Sequence, residues 1–345
     1  MKRLFYVALL AVVFIAALAF SPSATSAWGL KGHTIVNHLA AVSLPSSMPA
    51  FMRTPAAIAE LSNLGTYLDM QKGAGVAWDA DYDPGHYLDL QADNTVGGLP
   101  LDALPPTREA YDTALRSHGT DQFKMGYVPY SILEGWQQLR MDFAYWRVDN
   151  YESAHAKPMA VRAKALAYER VDEALVLRDA GVWGHYVADA SQPLHITAHF
   201  NGWGAYPNPN GYSNSPHFHD LFETDFVERF ITQAGVAKRL APLRVPRIGG
   251  LVSNQQALNS IETYLAGSNA MVEPLYRIAK AGGFAHATPA SIAFAEGRLA
   301  YGASELRNLT TWAWRDSLNE TIGDDAPQTV RAIVSGRTAY KGRYF

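Results

Sequence analysis

"LEGWQQLRMDFAYW", residues 133–146, carries the plainest structural signal in the chain. Leu133, Trp136, Leu139, Phe143 and Trp146 recur at intervals of three and four, the spacing that lines one face of an α-helix. That face is bulky and apolar along its whole length, so the segment predicts a helix buried on one side by other helices. Outward from it the same period returns. Val36, Leu39 and Ala40 share a face until "LPSS" stops them, and Thr54-Pro55, a cap followed by a first-turn proline, opens a run through Ile58, Leu61, Leu64 and Leu68. An alanine-rich helix is expected from about Val161 to Asp189. Further helices are expected around 217–234, 253–266 and 289–317, the last again opened by Thr-Pro. Period-two alternation is scarce. The reading is all-α: a single helical domain with long loops at 70–85, 90–107 and 200–216.

Composition sets the limits. Hydrophobic residues make up 48% of the chain and charged residues 18%, enough for a substantial core and unlike a disordered protein. No block of Lys or Arg stands out, which argues against tight nonspecific binding of duplex DNA. Residues 1–27 read as a signal peptide: Lys2 and Arg3, then an apolar run, then the small-residue exit "SATSA". The rival reading, a retained membrane anchor, is disfavoured by that exit. Cleavage there would leave a chain starting at Trp28, secreted or periplasmic, with 27 Lys+Arg (29 minus two) against 32 Asp+Glu, a net charge of −5. Its domain would run over 28–325, followed by a C-terminal tail over 326–345. There is no cysteine, so no disulfide can brace an exported chain, and eleven histidines direct attention to metal.

"GHYVADASQPLH", residues 184–195, sets His185 and Asp189 four apart on the expected helix, one turn apart on one face. "HFHDLFETDF" repeats the offset with His219 and Glu223. One such pair is common on a solvated surface. Two helices offering an imidazole and a carboxylate at the same offset is how helical bundles build interior metal sites. His86, after the Pro-Gly of "DPGHYLDL", and His195 add nitrogen donors, and the mixture suits zinc. "WGLKGH", residues 28–33, then becomes intelligible. A free amino group at Trp28 and its carbonyl oxygen would chelate a metal, His33 would add a third atom, and the indole would anchor the terminus in the core.

Together, "WGLKGHTIV", "HYLD", "HYVADASQPLH" and "HDLFE" resemble, in order, the motifs of the zinc-dependent phospholipase C and single-strand-specific nuclease superfamily, over residues 28–223. The resemblance implies an all-helical domain with a trinuclear zinc cleft. It assigns Asp69, His86, His185 and Asp189 to one ion, and His195, His219 and Glu223 to a second. The third would be held by the amino and carbonyl groups of Trp28, by His33, and by Asp189 as a bridge. Asp69 would also orient or deprotonate the attacking water. Its match is the loosest; Asp79, Asp81 and Asp83 are rivals, and placement at a helix end favours Asp69. Glu223 and Tyr186 look like the phospholipase branch, whereas "WGLKGH" and "SQPLH" look more like the nuclease branch. Ala188 stands where both branches have glycine, which raises the question of local packing.

The implied activity is phosphodiester hydrolysis, since zinc brings the pKa of bound water down toward about 7. The substrate is expected to be a phospholipid, or alternatively single-stranded nucleic acid. Trp203, Tyr206 and Tyr212 are candidate substrate contacts, facing a quaternary ammonium or unpaired bases; the plainer alternative is that they fold their own loop. A reading from another class is a secreted, non-enzymatic protein whose zincs replace disulfides. The three-ligand second site disfavours it, because structural zinc is normally closed by four protein ligands. No obligate protein partner is expected, and no transmembrane segment in the processed chain.

Overall fold

A computed structural model of the protein describes residues 28–247, 249–323, 327–342 and 344. The expected signal peptide lies outside these residues. Eleven helices carry the architecture: α1 (Gly29–Val42), α2 (Pro55–Leu64), α3 (Val76–Tyr82), α4 (Arg108–Ser117), α5 (Val128–His155), α6 (Met159–Asp189), α7 (residues 218–230), α8 (Asn254–Asn269), α9 (Val272–Lys280), α10 (Pro289–Asp316) and α11 (Val330–Val334). The domain is all-α, with strand confined to two two-stranded pairs among the described residues.

The hairpin of α5 and α6 is the frame. At 28 and 31 residues these helices are roughly 42 and 47 Å long, and they pack along each other, with α10 packed against both and α1 against α6 and α10. The stripe expected in α5 is the buried one: Trp136, Leu139 and Phe143 are sealed, and Trp136 packs on Trp312 of α10 with ring centroids 5.0 Å apart. Both Thr-Pro signals act as caps. Thr54 accepts from the Ala57 amide, and Thr288 exchanges bonds with Ser291 in a capping box. Asn37 ties three helices at one point by donating to the Leu61 and Gly181 carbonyls. A Cβ on Gly65 or Gly184 would come within 2.6 Å of its side chain, so both glycines are needed for this close approach.

Three loops were expected, and only 200–216 is free of regular structure. Residues 70–85 wind into α3 and flanking 3₁₀ turns, and 90–107 holds the hairpin Thr95–Val96 against Leu99–Pro100. Gly97 and Gly98, both at positive φ, supply its two-residue turn. The tail after residue 325 is not an appendage. Val330, Ile333, Tyr340 and Tyr344 pack with Ala144, Val148 and Ala165 of the α5–α6 hairpin, and Tyr344 bonds to Asp149. Among the described residues no helix is long and apolar enough to cross a membrane.

Candidate metal centre

The C-terminal end of α6 points its last turn into the middle of the domain. His185 and Asp189 are fully buried there, as is His33 from α1. Asp189 is the hub. Its Oδ1 lies 3.3 Å from His33 Nε2, and its Oδ2 lies 2.9 Å from His86 Nδ1 and 3.3 Å from His185 Nε2. Asp69 stands beside it, 3.6 Å from both His33 and His185. The second group centres on Glu223, whose Oε2 lies 2.8 Å from His219 Nε2 and 3.5 Å from His195 Nε2. The donor atoms form three sets, and within each set they lie within 4.8 Å of one another: His33, His185 and Asp189; Asp69, His86 and His185; His195, His219 and Glu223. The fold thus brings together all eight side chains singled out from the sequence. Asp69 is in the cluster, and Asp79, Asp81 and Asp83 are in none of these sets; Asp79 instead accepts from the Gly73 amide.

Trp28 completes the enclosure. It is wholly buried, and its indole N–H donates to the Ala188 carbonyl and Ser191 Oγ at 2.9 and 3.0 Å. Ala188 therefore fits where glycine was the expected residue. The main-chain nitrogen of Trp28 lies 3.2 Å from Glu223 Oε2, bringing this backbone to the edge of the second group. Trp28 adopts φ 43° and ψ 1°, left-handed values that non-glycine residues rarely take. Gly32 secures it from the next turn, since a Cβ there would meet the Trp28 Cβ at 2.8 Å.

The hydrogen bonds around the donor set show what it can hold. His185 Nδ1 and His195 Nδ1 each lie 2.8 Å from a main-chain carbonyl, of Gly65 and His86 respectively. Donation there leaves each Nε2 lone pair facing the cluster, the usual outer bonding of a metal-ligating histidine. Inside, both ring nitrogens of His33, Asp189 Oδ1, His195 Nε2, His219 Nδ1 and Glu223 Oε1 are buried without a hydrogen-bond partner among the described residues. Orphaned polar atoms are few in folded proteins and costly. Six of them belong to this one donor set, on nitrogen and carboxylate ligands of the kind divalent ions take. The residues fit a metal centre.

Electrostatics keep four members of the set in their ligating form, whereas His195 is shifted the other way: burial pulls it down, but Glu223 and Asp189 outweigh burial and raise it. Burial brings His86 down to about 4 and His185 to about 3, so both imidazoles are neutral at pH 7. Burial works to raise Asp69 and Glu223, but the adjoining histidines outweigh it, His185 and His33 for Asp69 and His219 and His195 for Glu223. Both carboxyls end at about 2.

Two participants were not legible beforehand. Lys72 Nζ lies 2.8 Å from Asp69 Oδ1 with only 11% of its side chain exposed. The 3₁₀ turn Asp69–Gln71 sets it there, because that winding eclipses residues three apart. Gln192, fully buried, places its amide nitrogen 2.9 Å from Glu223 Oε2 and its Oε1 on the Leu194 amide. The spacing Asp-x-x-Lys was the available signal for the first; none marked the second.

The aromatic loop is different from expectation in one respect. Trp203 and Tyr212 are buried, with Trp203 stacked on His199 at 4.0 Å and both rings packed on Tyr276. They hold the loop's own fold, and their faces are not open to a substrate. Tyr206 is the exposed ring of the three.

No protein-family model matches this chain, and no curated protein or solved structure was found to be similar to it. Fold and geometry define the class: an all-α domain enclosing histidine–carboxylate groups capable of holding metal ions.

Proposed function

We propose that this chain is an exported zinc-dependent phosphodiester hydrolase, phospholipase C-like in substrate, and a relative of the superfamily its motifs resemble. The observation that carries the reading is the gathering of eight ligand side chains into three compact donor sets, with the Trp28 main-chain nitrogen beside the third and unpartnered ring nitrogens and carboxylate oxygens among them. Asp69, His86, His185 and Asp189 would hold one ion, His195, His219 and Glu223 a second, and His33, Asp189 and the Trp28 amino and carbonyl groups a third. Removal of residues 1–27 would convert the Trp28 nitrogen from a peptide nitrogen into a ligating amine. Zinc bound there would supply Lewis acidity toward a phosphoryl group and toward water.

The chain's own residues do the remainder. Asp69, its carboxyl held ionised, orients water and takes its proton as the new P–O bond forms. The phosphorus–oxygen bond to the alcohol breaks, and the departing oxygen takes up a proton. Lys72, fixed beside Asp69, brings positive charge to a phosphate oxygen. Trp28, whose nitrogen lies beside Glu223, packs its buried ring on Phe222, and such apolar surroundings strengthen the charge interactions next to them. A nuclease acting on single strands would use the same centre.

The processed protein should hydrolyse phosphatidylcholine vesicles, lose activity to a chelator, and recover with zinc. Cleavage of single-stranded DNA alone would move the assignment to the nuclease branch. Full zinc occupancy with neither substrate cleaved would favour the non-enzymatic reading.

A further inference from the structure

The end of α6 is held by side chains from other parts of the chain. A helix leaves its last carbonyls without partners of its own, and here each carbonyl on either side of Asp189 accepts from a side chain. Val187 accepts from the Tyr264 hydroxyl, Ala188 from the Trp28 indole, Ala190 from the Ser268 hydroxyl and Ser191 from Arg298 Nε. Arg298, on α10, is buried and pairs with no carboxylate among the described residues. Its Nε lies 2.9 Å from the Ser191 carbonyl, its Nη2 2.8 Å from Ser268 Oγ, and its guanidinium 4.3 Å from the centre of the Tyr301 ring. A buried cation is costly unless compensated, and the carbonyl end of a helix supplies partial negative charge. One turn further along α10, Gly302 faces the same serine. A Cβ there would meet Ser191 Oγ at 2.8 Å and Ser191 Cβ at 3.0 Å, and that Oγ is an acceptor of the Trp28 indole. Between them Leu299 reaches Gly32, where a Cβ would meet Leu299 Cδ2 at 3.4 Å as well as Trp28. A single turn of α10 therefore backs both contacts that fix Trp28 in its left-handed conformation. A non-glycine residue keeps such a conformation only where its surroundings impose it.

We infer that Arg298 and Gly302 are positioning residues for the metal centre. Arg298 and the space left by Gly302 set Ser191, Ser191 sets the Trp28 indole, and the indole sets the main-chain nitrogen that lies beside Glu223. Both residues lie beyond residue 223, outside the stretch that carries the ligands, so the last third of the chain shapes a site to which it gives no ligand. The inference rests on the reading of Trp28 as a metal-ligating terminus for its link to zinc, but not for the seat itself.

The test uses the processed chain and zinc alone, read by competition with a chromophoric chelator. Gly302→Ala drives a methyl against Ser191 Oγ, and because alanine is otherwise the better helix former, a loss there comes from that contact. Arg298→Met removes both donors. Each should weaken one zinc about tenfold or more and leave the other two within about twofold. Arg298→Lys, which returns one donor, should recover part of the loss. In a chain carrying extra residues before Trp28, which has no free amine there, Gly302→Ala should change no zinc affinity further. All three zincs weakened alike, the same loss in the extended chain, or full zinc affinity in both variants would make this turn of α10 an ordinary brace and overturn the inference. Hydrogen exchange at the Trp28 indole, followed in metal-free protein, separates the seat from the metal. It should speed up about tenfold in Gly302→Ala; an unchanged rate would overturn the seat. Faster exchange in a chain that takes up no zinc would sink the metal-centre reading and leave the grip of α10 on Trp28 in place.

Discussion

Two buried charged clusters occupy this domain, and they are built differently. Near the C-terminal end of α10, Arg140 lies between Asp316 and Glu320, bonds to the Val252 carbonyl, and stacks over Trp136. Asp316 also accepts the Val252 amide. That cluster closes on itself: charge meets countercharge, and the result is a clamp between α5, α10 and the chain around residue 252. At the end of α6 no arginine pairs with the carboxylates among the described residues: the basic groups within contact distance of Asp189 and Glu223 are imidazoles, and the one lysine of the cluster, Lys72, pairs with Asp69. A closed cluster stabilises a fold. The α6 cluster, where burial holds His86 and His185 neutral beside ionised Asp69 and Glu223, has the donor chemistry to take a metal ion.

The contrast can be broken by substitution. Asp189→Asn removes the hub shared by three histidines. Turnover should fall by roughly a thousandfold or more, with loss of at least one zinc by elemental analysis. Unchanged metal content would show that Asp189 is not a ligand. A chain carrying extra residues before Trp28 should lose one zinc and on the order of a hundredfold in activity; full activity would remove the terminus from the site. Arg140→Met belongs to the other cluster and should show the opposite pattern. Stripping the partner from two buried carboxylates should cost about 3–5 kcal/mol of stability, read as a lower Tm, while zinc content and turnover at a permissive temperature stay as they were.

Titration gives a milder contrast. His86 and His185 are held below their unfolded value near 6.5, so in the metal-free protein they favour the folded state fully above that pH. Their contribution is lost as pH falls from about 6.5 through about 4 and then 3. Asp69 and Glu223, held at about 2, contribute above the ordinary carboxylate range and are lost on descent through it. The Tm of metal-free protein should therefore drop progressively below pH 6.5. A Tm flat from pH 7 to 5 would contradict the burial of these imidazoles.

Much of this was legible in the sequence because local spacing does the work. The three-and-four repeat in α5, the Thr-Pro caps of α2 and α10, and the His185/Asp189 and His219/Glu223 pairs need no knowledge of distant contacts. What was not legible depends on distant chain or unusual winding. Glu223 sits in a π-helical turn, Leu221–Phe226, where a regular helix was expected; such turns recur at functional sites and leave no clear mark in composition. Segment 70–85 folds into turns around α3, and that local winding brings Lys72 to Asp69. The rings of Trp203 and Tyr212 looked available from composition alone. Tyr276, more than sixty residues onward, claims them for the core.

The most direct measurement is zinc per chain in the processed, purified protein by elemental analysis, set beside the same count in Arg140→Met. Three ions in both would bear out the division between an open cluster that takes metal and a closed one that does not. Protein free of metal yet fully active, or folded with the orphaned histidine nitrogens satisfied by water alone, would contradict it.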